Sequence, residues 1–144
     1  MKVIGITGGI ASGKSHVLSK VKSMGAYVLD CDTIVRELSR PGYPLHTIII
    51  KEFGEDYLKE DGTIDKAKLR KTVFSDDSQL ERLNKVSGDI IRTAIKEQLI
   101  EAEDYTIVFV EGIRVFEEDF RNIFDEIWFV YCDEAEQLRR LMDR

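Results

Sequence analysis

Residues 8–15, near the amino terminus, have the composition and spacing of a phosphate-binding loop. They match the pattern G-x-x-x-x-G-K-[ST] as Gly8-Gly9-Ile10-Ala11-Ser12-Gly13-Lys14-Ser15. Glycines let the backbone curl so that successive N–H groups face an anion at the start of a helix. Lys14 is expected to reach the β- and γ-phosphates of a nucleotide, and the Ser15 hydroxyl is expected to bind Mg²⁺. The alternative is a glycine-rich turn that binds no ligand.

Two aspartates, Asp30 and Asp32, directly follow an apolar segment at residues 26–29 that predicts a strand. A carboxylate at this strand end would accept the proton of a substrate hydroxyl, or hold Mg²⁺ through water. Asp32 also precedes a helical segment that begins at Thr33, where it would serve as an N-cap. The residues alone leave these alternatives open. Two carboxylates beside a phosphate site favour a functional role for at least one of them.

A third acidic residue, Glu111, follows the apolar segment at residues 105–110. Proteins with a phosphate-binding loop usually place a carboxylate at this strand end, and the glutamate side chain is long enough to contact Mg²⁺ or its waters. The alternative is a strand-end charge that faces solvent. Arg114, just beyond, is either directed toward the phosphates or exposed.

Arginines recur in the last helical segment of the sequence as Arg139, Arg140 and Arg144. Arginines beside a nucleotide stabilise the charge that spreads over the transferred phosphoryl group. The alternative is a solvated face of an amphipathic helix. A second basic cluster is interpreted as a solvated face: Lys66, Lys68, Arg70 and Lys71.

Hydrophobic periodicity predicts four strands separated by helices. The predicted strands cover residues 3–7, 26–29, 105–110 and 126–131. The predicted helices cover residues 12–24, 33–39, 45–53, 65–74, 75–86, 90–101, 116–124 and 134–144.

Strands separated by helices predict an α/β fold with a parallel sheet, because parallel neighbours need crossover connections. With the phosphate-binding loop after the first strand, this is the three-layer fold of P-loop NTPases. We expect a single domain over residues 1–144, with a core at 1–32 and 104–144. The helical block at about 33–103 is predicted to be an inserted, substrate-binding subdomain over the carboxyl edge of the sheet.

The composition is that of a folded globular protein. Hydrophobic residues make up 43% of the 144 positions, and 21 Lys+Arg against 27 Asp+Glu give a net charge of −6. The acidic balance argues against a general nucleic-acid binder, and no apolar run has the ~18 residues of a membrane span. Cys31 and Cys132 lack neighbouring zinc ligands, which predicts reduced thiols and a cytoplasmic location. His46 lacks ligand spacing, and His16 is assigned no catalytic role.

Several segments together resemble bacterial dephospho-coenzyme A kinases. The similarity begins with the phosphate-binding loop and its preceding strand and extends through nearly the whole chain in matching order and spacing. The resembling segments are residues 6–15, 28–38, 41–42, 53–56, 61–65, 69–70, 73–74, 83–84 and 137–138, with Arg140, Met142 and Arg144.

This resemblance implies a P-loop kinase that transfers the γ-phosphoryl group of ATP, with Mg²⁺, to the ribose 3′-hydroxyl of dephospho-CoA. Asp32 would be the general base, and Arg36 would contact the acceptor or a phosphate. The nucleotide would be bound by the loop with His16, Arg140 and Arg144, and the metal by Ser15, Asp30 and Glu111. The identity of the acceptor comes only from the resemblance.

The sequence departs from the family pattern mainly on the acceptor side. Gly88-Asp89 replaces a His-Pro pair, residues 111–115 replace an Asp-x-Pro-Leu-Leu stretch, and His16 replaces a threonine. The family also continues beyond Arg144 with a helical lid, a fifth strand and a closing helix. These departures leave two alternatives open, a nucleoside or nucleotide monophosphate kinase and a catalytically silent nucleotide-binding module. The oligomeric state is not predicted.

Overall fold

A computed structural model of the chain describes residues 1–112 and 118–143. It contains a short 3₁₀ turn at Glu55–Tyr57, four strands and seven helices in the described ranges. The strands are β1 (Lys2–Gly8), β2 (Tyr27–Asp30), β3 (Ile107–Glu111) and β4 (Glu126–Val130). The helices are α1 (Lys14–Ser23), α2 (Cys31–Leu38), α3 (Pro44–Phe53), α4 (Lys66–Ser75), α5 (Asp77–Glu101), α6 (Glu118–Arg121) and α7 (Glu134–Met142).

The four strands form one parallel sheet in the order β2-β3-β1-β4. Strands β1 and β2 are separated by β3, and β3 and β4 by β1, whereas β2 and β3 pair directly. Because every pair is parallel, each connection must cross from one end of the sheet to the other. The α/β fold predicted from the sequence is confirmed. The carboxyl ends of β1, β2 and β3 lie at one edge and carry Gly8, Asp30 and Glu111 respectively. This is the edge at which open α/β sheets bind ligands.

The chain divides into two compact units, and the first consists of Met1–Cys31 with Lys96–Arg144. Alternate residues of the central strands bury opposite faces of the sheet. On one face, Ile4, Ile6 and Phe109 pack with Leu18 of α1. On the other face, Val108 and Val110 are fully buried. The central strands β1 and β3 therefore hold the core, whereas β4 lies at an edge and is mostly exposed.

The second unit, Asp32–Ile95, is helical. Its buried apolar residues come from α3, α4, α5 and the turn before α4: Leu45, Ile49, Ile64, Leu69, Val73, Ile91 and Ile95. His46 bonds through Nε2 to the Gly62 carbonyl at 2.8 Å, and its Nδ1 accepts a 3.4 Å hydrogen bond from the Gly42 N–H. This histidine ties two turns of the unit together, which is a structural role.

Helix α5 corrects the prediction of two helices at residues 75–86 and 90–101, because it is one continuous helix of 25 residues. Gly88 was expected to fall in a break, yet it is buried inside the helix. A buried stripe with i+4 spacing runs past it through Ser87, Ile91 and Ile95. Packing of this stripe outweighs the roughly 1 kcal/mol that a glycine costs in a helix interior.

Three sequence predictions fall wholly or partly outside the described residues. The helix predicted at 116–124 is described only from residue 118, as α6. Arg114 and Arg144 lie outside the described residues. Within the described ranges, no helix combines the length and apolar character that crossing a membrane requires.

Candidate nucleotide-binding site

The loop between β1 and α1 is sharply curled. Ala11 has φ 55°, and among the described residues it is the one non-glycine with a positive φ. Gly13 follows at φ 97° and forms the N-cap of α1. A left-handed conformation costs an alanine about 1–2 kcal/mol, so the fold holds this loop in a strained shape. Such strain is typical of a backbone arranged for a ligand.

Gly8 is required by a close approach to β4. A Cβ at this position would lie 2.5 Å from the Val130 carbonyl oxygen and 2.7 Å from Ser12 Oγ. Because the first of these atoms belongs to the backbone of a paired strand, it cannot move aside easily. The loop therefore lies directly against the carboxyl end of β4.

A cavity of about 360 Å³ opens within the curl and is lined by residues 8–15 together with Glu111 and Arg140. No side chain caps the N-terminus of α1, since Gly13 has none to offer. Ser12 Oγ is buried and has no hydrogen-bond partner in the described part of the protein. A buried unpaired hydroxyl is unfavourable, and a phosphate oxygen in the cavity would satisfy it. The donors of this cavity are suited to an anion.

Lys14 and Glu111 form an ion pair inside this cavity, with Nζ 3.1 Å from Oε1. About a quarter of each side chain is exposed. The pair connects the first turn of α1 to the carboxyl end of β3. Phosphate oxygens entering the cavity would compete with Glu111 for the lysine, so this pair is replaceable by a ligand.

The carboxylates predicted to bind metal lie on neighbouring strands. Asp30, the last residue of β2, is in register with Glu111, the last residue of β3. Ser15 lies in the first turn of α1 and is exposed. Across the described ranges, no group of three or more His, Cys, Asp or Glu side chains is arranged to hold a metal. A metal at this edge would therefore need ligand oxygens from a bound phosphate as well.

Helix α7 and Cys132, which lies just before it, contact the loop. The sequence predicted Arg140 for this site but did not predict the contacts of Gln137 and Cys132. Gln137 Nε2 donates to the Ile10 carbonyl at 3.0 Å, and Cys132 Sγ lies 3.7 Å from the Ala11 carbonyl. Arg140 Nη1 donates to the same Ala11 carbonyl at 3.2 Å. The carbonyls of the curled segment thus have side-chain donors. The spacing of Gln137 and Arg140 predicts that they share one face of a helix, but it does not predict that this face contacts the loop.

Glu136 orients Arg140 by accepting a hydrogen bond from its Nε at 2.7 Å. Hydrogen bonds from Arg139 and Arg140 lower the pKa of Glu136 to about 2, so its carboxylate is ionised at neutral pH. Both arginines share this one carboxylate. Arg140 is held between Glu136 and the Ala11 carbonyl of the loop, whereas Arg139 bonds to Glu136 and Asp143.

The other predicted site residues lie on α1 and α2. His16 is exposed and does not line the cavity. Helix α2 begins at Cys31, so Asp32 lies inside its first turn. The alternative that Asp32 is the N-cap is therefore wrong, because an N-cap residue precedes the helix. Asp32 is exposed, and Arg36, one turn later, donates from Nη2 to Thr33 Oγ1 at 3.0 Å.

Gly112, which departs from the family pattern, has a packing explanation. A Cβ at this residue would lie 2.6 Å from Cys31 Cβ. Both residues are buried beside the carboxyl ends of β2 and β3. The glycine lets the chain leave β3 closely against the start of α2.

The curled loop lies between a central parallel strand and a helix, and its cavity contains the Lys14 side chain and the buried Ser12 hydroxyl. These features define a P-loop nucleotide-binding protein. The comparisons with known proteins are more specific. The family model for dephospho-CoA kinase, CoaE, matches residues 2–144. The chain belongs to the dephospho-CoA kinase family, as predicted from its motifs.

Individual relatives agree with this assignment. The dephospho-CoA kinase of Shouchella clausii is 38% identical over 143 residues, covering 98% of this chain and 73% of the relative. That of Carboxydothermus hydrogenoformans is 40% identical over 148 residues, covering 100% and 71%. Among solved structures, TT1252 from Thermus thermophilus has a TM-score of 0.81 and 30% identity, covering 99% and 72%. A dephospho-CoA kinase from Campylobacter jejuni (TM-score 0.59, 19% identity, 99% and 95% covered) shares the fold.

Proposed function

We propose that the protein transfers the γ-phosphoryl group of ATP to the ribose 3′-hydroxyl of dephospho-CoA, giving coenzyme A. The observation that carries the ATP half is the cavity in which Ser12 Oγ is buried without a partner in the described residues. The acceptor half is supported by membership of the dephospho-CoA kinase family.

The loop would hold the phosphates through its N–H groups, the Ser12 hydroxyl and Lys14. Lys14 would exchange Glu111 for the β- and γ-phosphates, which is favourable because the phosphates carry more charge. Arg140 would stabilise the charge that develops on the transferred group. His16 and Arg144 remain predicted nucleotide contacts.

Mg²⁺ would neutralise charge on the β- and γ-phosphates when bound. The donors that fit it are the Ser15 hydroxyl and, directly or through water, Asp30 and Glu111, together with ATP oxygens. These ligands are hard oxygens, which Mg²⁺ prefers.

Asp32 would act as the general base. Its carboxylate would accept the proton of the 3′-hydroxyl while that oxygen attacks the γ-phosphorus and the bond to the β-phosphate oxygen breaks, releasing ADP. Arg36, one turn along α2, would bind the acceptor. Asp32 is exposed in the first turn of α2. We further propose that the enzyme works in the cytoplasm, where thiols such as Cys31 and Cys132 stay reduced.

The test is ADP release from ATP and Mg²⁺ with dephospho-CoA, with each nucleoside monophosphate, and with no acceptor. Stimulation by dephospho-CoA alone supports the proposal. Stimulation only by monophosphates identifies a different kinase, and ATP binding without turnover identifies a silent module. Lys14→Ala, which removes one of the two cations that line the cavity, is expected to abolish turnover and weaken ATP binding. Lys20→Ala, an exposed lysine two turns along α1, is the matched control and should leave both unchanged.

A further inference from the structure

The tip of the phosphate-binding loop is a tight turn over residues 9–12. The Ser12 N–H closes the turn by donating to the Gly9 carbonyl at 3.2 Å. Of the two central residues, Ile10 and Ala11, only Ala11 has a positive φ, of 55°. This is the pattern of a type II turn, in which glycine or asparagine is the usual third residue. The turn is therefore held in a form that its own alanine does not favour.

Type I and type II turns differ in the direction of one peptide group, here the one that joins Ile10 to Ala11. Conversion of one turn into the other rotates this group by roughly 180°. Its carbonyl and its N–H point in opposite directions, because a trans peptide is planar. The direction of the Ile10 carbonyl therefore decides the direction of the Ala11 N–H, and N–H groups of such a loop are the donors to phosphates.

Gln137 of α7 holds the Ile10 carbonyl in the type II direction. Its Nε2 donates to this oxygen at 3.0 Å, and a carbonyl can only accept, so the amide nitrogen must face the turn. Gly9 leaves the room that this nitrogen needs, since a Cβ on Gly9 would lie 2.8 Å from it. Rotation of the peptide group would break the hydrogen bond. The contact therefore stabilises the type II turn over the type I turn.

The contact of Arg140 with the loop does not distinguish the two turns. Arg140 donates to the Ala11 carbonyl, which belongs to the same peptide group as the Ser12 N–H. Both turn types keep that N–H on the first residue of the turn, so the Ala11 carbonyl keeps its direction in both. In the described ranges the nucleotide cavity is lined by residues 8–15, Glu111 and Arg140, and Gln137 is not among them. Gln137 therefore acts on a nucleotide through the loop.

We propose that Gln137 is a positioning residue that fixes the Ile10–Ala11 peptide group for phosphate binding before a nucleotide arrives. The inference rests on the proposed function and concerns the ATP half of it. A loop that is only partly in the binding conformation has an apparent affinity reduced by that fraction. Once ATP is bound, its phosphates hold the turn themselves. Gln137 therefore contributes to the affinity for ATP and not to the rate at saturation.

The first test is Gln137→Met, which keeps the length of the side chain and removes the donor. Loss of one net hydrogen bond should raise the KM for ATP, and its Kd measured by calorimetry with Mg²⁺, about 5-fold. At saturating ATP, kcat should equal that of the wild type, whereas partial unfolding would lower kcat.

Gln98→Met is the matched control for this change. Gln98 is also a half-buried helical glutamine, and its Nε2 donates one hydrogen bond, at 3.1 Å, to Glu101 within α5. The same substitution there removes a comparable contact away from the loop. It should leave the Kd and the KM for ATP unchanged.

A second pair of variants tests the selection of the turn. Glycine adopts a positive φ about as readily as a negative one, so Ala11→Gly removes the strain of the type II turn. The loss of ATP affinity caused by Gln137→Met should therefore shrink to about 2-fold or less when both proteins carry Ala11→Gly. A direct contact between Gln137 and the nucleotide predicts the same loss in both backgrounds.

The outcomes separate this inference from the proposed function. ATP affinity in Gln137→Met equal to that of the wild type, or an equal loss in both backgrounds, overturns the positioning role and leaves the function standing. A fall in kcat at saturating ATP also overturns that role. If the wild type binds ATP but does not phosphorylate dephospho-CoA, the function is overturned, and a weaker calorimetric affinity in Gln137→Met still supports the positioning role.

Discussion

Asp30 and Asp32 are separated by one residue but belong to different elements. Asp30 ends β2 in register with Glu111, whereas Asp32 lies in the first turn of α2. The two aspartates therefore have different surroundings, a difference that their residue type alone does not predict. Asp30 is near the predicted metal ligands, and Asp32 shares a helix face with Arg36. This division supports a metal role for Asp30 and the role of base for Asp32.

Replacing Asp32, the proposed base, should therefore lower the rate of phosphoryl transfer without weakening ATP binding. Asp32→Asn cannot accept a proton, so phosphoryl transfer should fall by roughly 10²-fold or more while ATP affinity is kept. The measurement is kcat with dephospho-CoA beside equilibrium ATP binding. Asp30→Asn is the matched comparison, and its effect should depend on the Mg²⁺ concentration. Full turnover by Asp32→Asn with a loss in Asp30→Asn would transfer the role of base to Asp30.

The Glu136 carboxylate has a pH dependence that follows from its arginine partners. Its pKa is lowered from 4.5 to about 2, so its ion pairs stabilise the folded state fully above pH 4.5 and are lost as the pH falls toward 2. The unfolding free energies of wild type and Glu136→Gln should differ by a constant amount above pH 4.5, and the difference should shrink below it. Urea denaturation at a series of pH values measures this. A difference that grows on acidification would contradict the assignment.

At the scale of elements, helix α5 contains an interior residue of low helix propensity. Gly88 lies in its interior, and a Cβ built there has no atom within 4 Å outside the helix itself. Local propensity alone predicts a helix boundary at this glycine, because propensity takes no account of packing. The buried stripe of Ile91 and Ile95 decided the outcome.

Gly88→Ala is expected to stabilise the protein by about 0.5–1 kcal/mol, since the alanine removes the entropic cost of glycine and meets no neighbour. The measurement is the free energy of unfolding from urea denaturation. Gly112→Ala is the matched contrast and should destabilise, because its Cβ would overlap Cys31. Stabilisation by both substitutions would show that the contact at Cys31 is not restrictive.

At the scale of the whole molecule, the features that depend on local sequence pattern could be predicted from the sequence. The loop of residues 8–15, the four strands and the α/β class follow from motif and periodicity. Strand order does not, because it depends on which crossovers pack together. Contacts that follow from strand order were missed for the same reason, including those of Gln137 and Cys132 with the loop.

The position of β4 at the edge of the sheet also follows from strand order. This strand exposes Ile127 and Trp128, with 37% and 42% of each residue accessible, and Tyr131 follows at 77%. An apolar edge strand is a site of intermolecular pairing.

Ile127→Lys should therefore lower light scattering of concentrated protein, because a charge on the edge disfavours strand pairing. Ile100→Lys, on an exposed residue of α5, is the control for added charge. Equal improvement by both substitutions would attribute the effect to net charge and not to the edge.

The two cysteines differ in exposure, so the rate of thiol modification can report whether a nucleotide is bound. Cys31 is 3% exposed beneath Gly112, whereas Cys132 is half-buried with its sulfur beside the Ala11 carbonyl. A thiol reagent should modify Cys132 first, and ATP should slow that reaction by filling the cavity next to it. Cys132→Ser should remove the fast phase, and a rate unaffected by saturating ATP would contradict the arrangement. The rate of Cys132 modification, measured at increasing ATP concentrations, then gives the nucleotide affinity of variants that have no turnover.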